Sequence, residues 1–322
     1  MRKVPLSFAN PKAQNRFARP SAAACHTHES PSPLGLWHLA SLDAPTVAVV
    51  WALAFAWAAK VSLPVWTPVL LALATWAVYV GDRLLDARRA FRTGQLQCLP
   101  ERHRFHWRHR RILIPLAVAA TSAAAWIVFF LMPAGIRERN SVLAAAALVY
   151  FTRVHSGRIF PRFRSALPSR LFAPIPSSLL SKELLVGGLF TAGCVLPAWS
   201  RNVIQTGSAP WPLFATALLF ATLAWLNCHA IERWESRHSQ PLNSNIYVAA
   251  SLLALAGLFL AAVLLPMHPG LAALTASGAA SALLLALLHH LRHRLTPLAL
   301  RAAADLALLT PALIAPLVPV LK

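Results

Sequence analysis

The sequence predicts an all-α polytopic membrane bundle of about nine transmembrane helices. Three observations carry this expectation. Of the 322 residues, 57% are hydrophobic and only 12% charged, giving a mean hydropathy of +0.56. Apolar runs near twenty residues, the length that crosses a bilayer as a helix, recur along the chain. The lysines and arginines behind a formal net charge of +20 gather in alternate connecting segments, as membrane topology requires. Cys25, Cys98, Cys194 and Cys228 are scattered without C-x-x-C or disulfide-framework spacing, so they read as reduced thiols and no secreted domain is expected.

Residues 1–43 are rich in Pro, Ser, Ala and Arg and lack the apolar core of a signal peptide; they read as a disordered basic cytoplasmic tail. Within it, Cys25, His26, His28 and Glu29 are either a short metal-binding cluster or, more simply, solvated. Leu36, Trp37 and Leu39 are suited to an interfacial turn ahead of Asp43. The transmembrane domain, 44–322, then divides into spans at 44–64, 65–86, 112–133, 139–155, 183–200, 211–235, 245–266, 269–291 and 297–321. Loops 87–111 and 156–182 carry most of the arginines, and Arg233, Arg237, Arg292 and Arg294 continue the alternation. This sets the N-terminus in the cytoplasm and, for an odd number of spans, the C-terminus outside a bacterial-type inner membrane.

The second span ends in Thr75–Asp86, TWAVYVGDRLLD. On a helix Thr75, Tyr79, Asp82 and Asp86 share a face, so two carboxylates stand one turn apart where an apolar helix meets water. Such a pair is a hard-oxygen site able to hold Mg2+ and present it to a phosphate. The plainer reading is a solvated helix end whose charges pair with Arg83, Arg88 and Arg89. The segment Glu101–Arg111, ERHRFHWRHRR, interleaves Phe105 and Trp107 with Arg and His. It either lies on anionic membrane lipids or closes over a cavity and donates cations to a diphosphate. No RNA- or DNA-binding motif accompanies it, so no nucleic acid partner is expected.

The sixth span ends in Leu226–Glu235, LNCHAIERWE, where Cys228, Glu232 and Glu235 share a face with Asn227 beside it and His229 reads as a helix-end polar residue. If both acidic ends face one cavity, they suit Mg2+ ions bridging a diphosphate; if Glu232 and Glu235 only balance Arg233 and Arg237, they carry no chemistry. Lys182, ahead of the glycine-bearing fifth span, is a membrane-topology anchor or a phosphate-binding cation. In the last span Thr296 and Pro297 open the helix, and Arg301 and Asp305 follow four apart. They are either a structural ion pair or cavity-lining groups.

Residues from about 41 to the C-terminus resemble the UbiA superfamily of intramembrane prenyltransferases, all-α bundles of about nine spans with aspartate-rich motifs on the second and sixth helices. The resemblance rests on YVGDRLLD, the basic segment after it, KELLVGGLFTAG and LNCHAIERWE. Asp82 and Asp86 match the last two aspartates of the family's N-D-x-x-D-x-x-x-D, whose Asn falls at Val78. Asn227 and Glu235 match the ends of an N-x-x-x-D-x-x-x-D pattern, with Ile231 at its middle position and Glu232 one residue away. The resemblance implies Mg2+ held by Asp82, Asp86, Glu232 and Glu235, with Lys182 and an arginine such as Arg83 or Arg104 assisting; Asn227, Arg301 and Asp305 are further candidates to bind the cofactor beside them. It implies transfer of a prenyl group from a prenyl diphosphate to an aromatic or lipid acceptor. The alternative within the same fold is a non-catalytic member that binds or moves a lipid or supports a membrane complex. An unrelated transporter would show inverted repeats, and the sequence has no clear internal repeat.

Overall fold

The structure, a computed structural model, describes residues 32–96, 99–159, 182–206, 211–235 and 245–314. Its regular structure is helical, with no strand among the described residues. In chain order the helices are α1 Pro33–Leu39, α2 Asp43–Ala58, α3 Trp66–Arg92, α4 Glu101–Arg108, α5 Arg110–Trp126, α6 Ala134–Ile159, α7 Lys182–Thr206, α8 Trp211–Glu235, α9 Asn245–Leu264, α10 Pro269–Leu291 and α11 Pro297–Ala307. α5 runs on through a π turn, Ile127–Leu131.

Six segments are long and apolar enough to cross a membrane: Trp66–Arg92, Arg110–Leu131, Glu183–Ile204, Trp211–Glu235, Asn245–Leu264 and Pro269–Arg294. The count becomes seven if α1 and α2, bent by 89°, form one broken span. The chain is therefore an integral membrane protein. Large apolar side chains face outward where lipid would lie, among them Phe130 at 73% and Phe259 at 74% exposure.

Three of the nine expected spans change character. The stretch 44–64 supplies only the 16-residue α2, closed by Lys60 at φ 55°. α2 is apolar on nearly every side because protein, not lipid, surrounds it. Trp51 and Phe55 lie at its centre; the Trp51 ring stacks on Phe220 of α8 at 3.9 Å, and its Nε1–H donates to the Leu308 carbonyl at 2.8 Å. The stretch 139–155 falls within α6, where Arg137, Glu138 and Arg139 at one end and Arg153 at the other leave too short an apolar middle. The stretch 297–321 yields the 11-residue α11 and a short 3-10 turn, Thr310–Leu313, with 315–322 outside the described residues.

The expected tail 1–43 is also divided. Residues 1–31, including Cys25, His26, His28 and Glu29, lie outside the described residues, while the compact unit starts at Pro33. α1 belongs to that unit because its Leu39 and His38 are buried, at 3% and 1% exposure.

Close helix approach comes from small residues. A Cβ on Gly187 of α7 would stand 3.0 Å from the Trp225 backbone nitrogen of α8, tighter than an ordinary contact, so the glycine lets the two helices approach this closely. Between α8 and α10, Thr216 and Thr275 share a buried hydroxyl contact of 3.0 Å. The Pro212 and Leu271 carbonyls also lie within reach, so one hydroxyl donates to its partner and the other to the carbonyl four residues before it, and neither is orphaned.

Candidate functional site

A polar cluster forms at one end of the bundle, where α1, α4 and α11 close over the ends of α3 and α8. α4 is short and strongly polar, yet it buries His103 and His106, three residues apart on one face. The Nδ1–H of His106 donates to the Arg102 carbonyl at 2.7 Å; since a carbonyl only accepts, Nε2 is the ring's acceptor and receives the Ser41 hydroxyl at 3.0 Å. Burial holds the His106 pKa down to about 4, outweighing the hydrogen bond to the Arg102 carbonyl. The ring therefore ties α4 to the bend between α1 and α2, where Ser41 adopts φ 60°. Outside this contact, Trp107 packs on Phe91 of α3 at 5.0 Å and lies under the Arg110 guanidinium at 4.6 Å.

From this position α4 touches both acidic helix ends. His103 Nε2 lies 3.9 Å from Asp86 Oδ2 on α3. Arg102 donates to both oxygens of Glu235 on α8, at 3.2 and 3.4 Å, and Arg301 of α11 donates to Glu235 Oε1 at 2.6 Å. Burial pulls the Arg102 guanidinium below its ordinary pKa, and the Glu235 charge opposes that pull.

Deeper in the cluster, Arg83 is 3% exposed, lies over the Tyr79 ring at 5.0 Å and donates to the Tyr79 carbonyl at 3.3 Å. Its charge acts on Asp43. His38 Nδ1 is 2.6 Å from Asp43 Oδ2 and 3.6 Å from Asp305 Oδ2, and Asn227 Nδ2 donates to Asp305 Oδ1 at 3.3 Å. Tyr79 is within electrostatic range of Asp43, Arg83, Cys228 and Asp305, which sets α3 opposite α8 across the cluster.

The structure thus brings Asp86, Arg83, Asn227, Glu235, Arg301 and Asp305 to one end of the bundle. Asp82 and Asp86 are half-buried one turn apart on α3 and both are engaged in interactions, while Glu232 on α8 is exposed and also engaged. Arg104 sits on the exposed face of α4, away from the buried histidines. Lys182 opens α7, and its side chain lies outside the described residues. Arg301 and Asp305 do not pair with each other: the first turns to Glu235 and the second to His38 and Asn227. The basic segment after α3 closes the cluster through Arg102 and His103, with Arg104 pointing elsewhere.

His38, Asp43, Arg102, His103 and Ser41 are additional members that sequence reading does not single out. His38 and Asp43 are five residues apart, a spacing that shares no helical face; the bend at residues 40–42 is what joins them.

The donor sets differ in their fit to Mg2+. Asp82 and Asp86 offer carboxylate oxygens from successive turns, the chemistry a hard cation takes. Glu235 does not fit as a ligand in this arrangement, because both of its oxygens already accept from guanidinium groups. Beside the cluster, a cleft of about 190 Å³ is lined by Arg233, Trp234, Glu235, Arg292, Pro297 and Arg301. Near the opposite end of α3, an apolar groove of about 610 Å³ runs between α3 and α5, walled by Val65, Trp66, Leu73, Trp126 and Leu131.

No family model, curated protein or solved structure matches this chain.

Proposed function

We propose that this protein is a Mg2+-dependent membrane transferase that moves a prenyl group from a prenyl diphosphate to an aromatic or lipid acceptor. The observation that carries the reading is the position of α4, which reaches the acidic end of α3 through His103 and that of α8 through Arg102. A diphosphate needs opposed charged walls of this kind at the edge of an apolar body, with its hydrocarbon tail in lipid or in an apolar groove. The groove between α3 and α5 lies near the opposite end of α3, so a chain starting at the charged cluster would run along α3 through lipid and reach it only with its far end.

When bound, Mg2+ on Asp82 and Asp86 would supply neutralising charge to the diphosphate leaving group. The protein's own part is binding and shielding. Arg102 and Arg301 are presented by Glu235, and guanidinium forks match phosphate oxygens as well as they match a carboxylate. Arg83 is held rigid over Tyr79, fixing a positive charge at the α3 wall. Buried Leu226, Ala230 and Ile231 on α8 keep water from the inner side of the cluster. The α4 end is assigned to the cytoplasm because the arginine-rich segment after α3 belongs to it.

The second reading, a non-catalytic lipid-binding member of the same fold, is favoured by one observation. Glu235 is committed to two arginines instead of being offered to a metal. The two readings part on turnover. Membranes containing the protein are incubated with radiolabelled geranylgeranyl diphosphate, Mg2+ and a total lipid and quinone-precursor extract. A labelled lipid product that disappears in Asp82→Asn/Asp86→Asn supports transfer. Retained labelled diphosphate with no product refutes it in favour of the binding role.

A further inference from the structure

We infer that His38, Asp43 and Asp305, completed by Asn227, form a second metal site that takes a divalent transition metal rather than Mg2+. The inference is independent of the transferase reading, because it uses none of the residues assigned there to Mg2+.

Three elements supply the donors: α1 gives His38, the start of α2 gives Asp43, and α11 gives Asp305. Their ligand atoms all lie within 4.8 Å of one another. His38 and Asp43 are 1% and 2% exposed, so this is not a solvated acidic patch. A four-coordinate ion with bonds of 2.0–2.1 Å holds its ligand atoms roughly 3.3 Å apart. The His38 Nδ1 to Asp305 Oδ2 separation of 3.6 Å is already near that spacing. The 2.6 Å approach of His38 to Asp43 would open by about 0.7 Å.

Two further observations bear on a ligand. His38 Nδ1 stands between the two carboxylates, at ion-pair distance from Asp43, while its buried Nε2 has no hydrogen-bond partner among the described residues. Asn227, 4% exposed, ends at the cluster with its Oδ1 buried and without a hydrogen-bond partner, while its Nδ2 contacts Asp305. Nδ2 is the end that faces Asp305; turned over, the amide would present Oδ1 as a fourth ligand to an ion held there. The mixed nitrogen and oxygen donor set selects the metal class. Imidazole suits Zn2+, Cu2+, Fe2+ and Ni2+, whereas Mg2+ prefers oxygen and keeps its waters. The two buried carboxylates balance a divalent charge with His38 neutral, and Arg83 next to Asp43 keeps the affinity moderate. Such an ion would staple the bend between α1 and α2 to α11, fixing the lid of the candidate site.

The test uses full-length protein in detergent, stripped with chelator and equilibrated separately with Co2+, Zn2+ and Mg2+ before desalting and elemental analysis. The expected result is about one equivalent of Co2+ or Zn2+ per chain, no retained Mg2+, and Co2+ d–d bands typical of low-coordinate nitrogen and oxygen ligation. His38→Gln and Asp305→Asn should abolish retention, and the milder Asn227→Leu should weaken it ~10-fold. Asp82→Asn/Asp86→Asn and Cys25→Ser/His26→Ala/His28→Ala should retain the metal. Should His38→Gln or Asp305→Asn fail to fold, the wild-type Co2+ spectrum and Asn227→Leu decide the question. No retained metal in the wild type overturns the inference, as does retention that survives both His38→Gln and Asp305→Asn or is lost with the variant at residues 25–28.

Discussion

Docking of α4 should weaken in mild acid, and His106 is the residue through which it does so. In the folded protein burial holds this ring near pKa 4, against 6.5 when exposed, with Arg83 and Arg102 opposing its charge and Asp43 favouring it. A histidine whose folded pKa is depressed contributes no penalty above its unfolded pKa. As pH falls from 6.5 towards 4, the unfolded chain takes up the proton first and stability declines. The shift is worth about 3 kcal/mol across that window. The perturbation is His106→Asn, whose amide nitrogen replaces Nδ1 and keeps the donation to the Arg102 carbonyl but cannot be protonated. Losing the Ser41 contact should cost ~1 kcal/mol at neutral pH. The assay is chemical unfolding in mixed micelles, followed by circular dichroism, from pH 7.5 to 4.5. Wild type should lose about 2–3 kcal/mol more than the variant across that range, so its curve starts above the variant's at neutral pH and crosses below it near the acid end. Parallel curves would refute the assignment of the pH response to His106.

Other consequences concern packing and charge. Gly187→Ala puts a methyl group 3.0 Å from the Trp225 backbone nitrogen, which cannot swing away, so thermal unfolding should show a loss of ~1–3 kcal/mol, while Gly188→Ala, which meets open space, should stay within ~0.5 kcal/mol of wild type. Trp51→Ala should destabilise by ~3–5 kcal/mol, and Trp51→Phe by ~1–3 kcal/mol through the unpaired Leu308 carbonyl, both readable by the same unfolding assay. Because Glu235 orients arginines, Glu235→Gln should leave Mg2+-dependent pyrophosphate affinity within about threefold of wild type, measured by calorimetry; a loss above about tenfold would make it a metal ligand.

Helices α3, α5, α7, α8, α9 and α10 were legible because each carries an unbroken apolar run of bilayer length. α2 misleads because a helix buried by protein and one buried by lipid have the same composition; only the surrounding helices reveal that α2 is the hub. α11 misleads for a related reason, since its apolar run is broken by a turn at Leu308 and Leu309. In the site, helical spacing puts Asp82 and Asp86 one turn apart on α3, as they stand in the structure, and it groups Cys228, Glu232 and Glu235 on α8 with Asn227 beside them. It could not find His38 with Asp43, which meet through an 89° bend, nor the exchange of partners that sends Arg301 to Glu235 and Asp305 to Asn227. Pairings across helices depend on relative rotation and depth, and neither is written in the period of a single helix.

Binding of geranylgeranyl diphosphate to the purified protein, with and without Mg2+, in wild type and Asp82→Asn/Asp86→Asn, tests the proposed function most directly. Binding in the wild type should require Mg2+ and should be lost in the double variant. Absence of binding, or binding indifferent both to Mg2+ and to the two aspartates, would contradict the role given to the acidic end of α3.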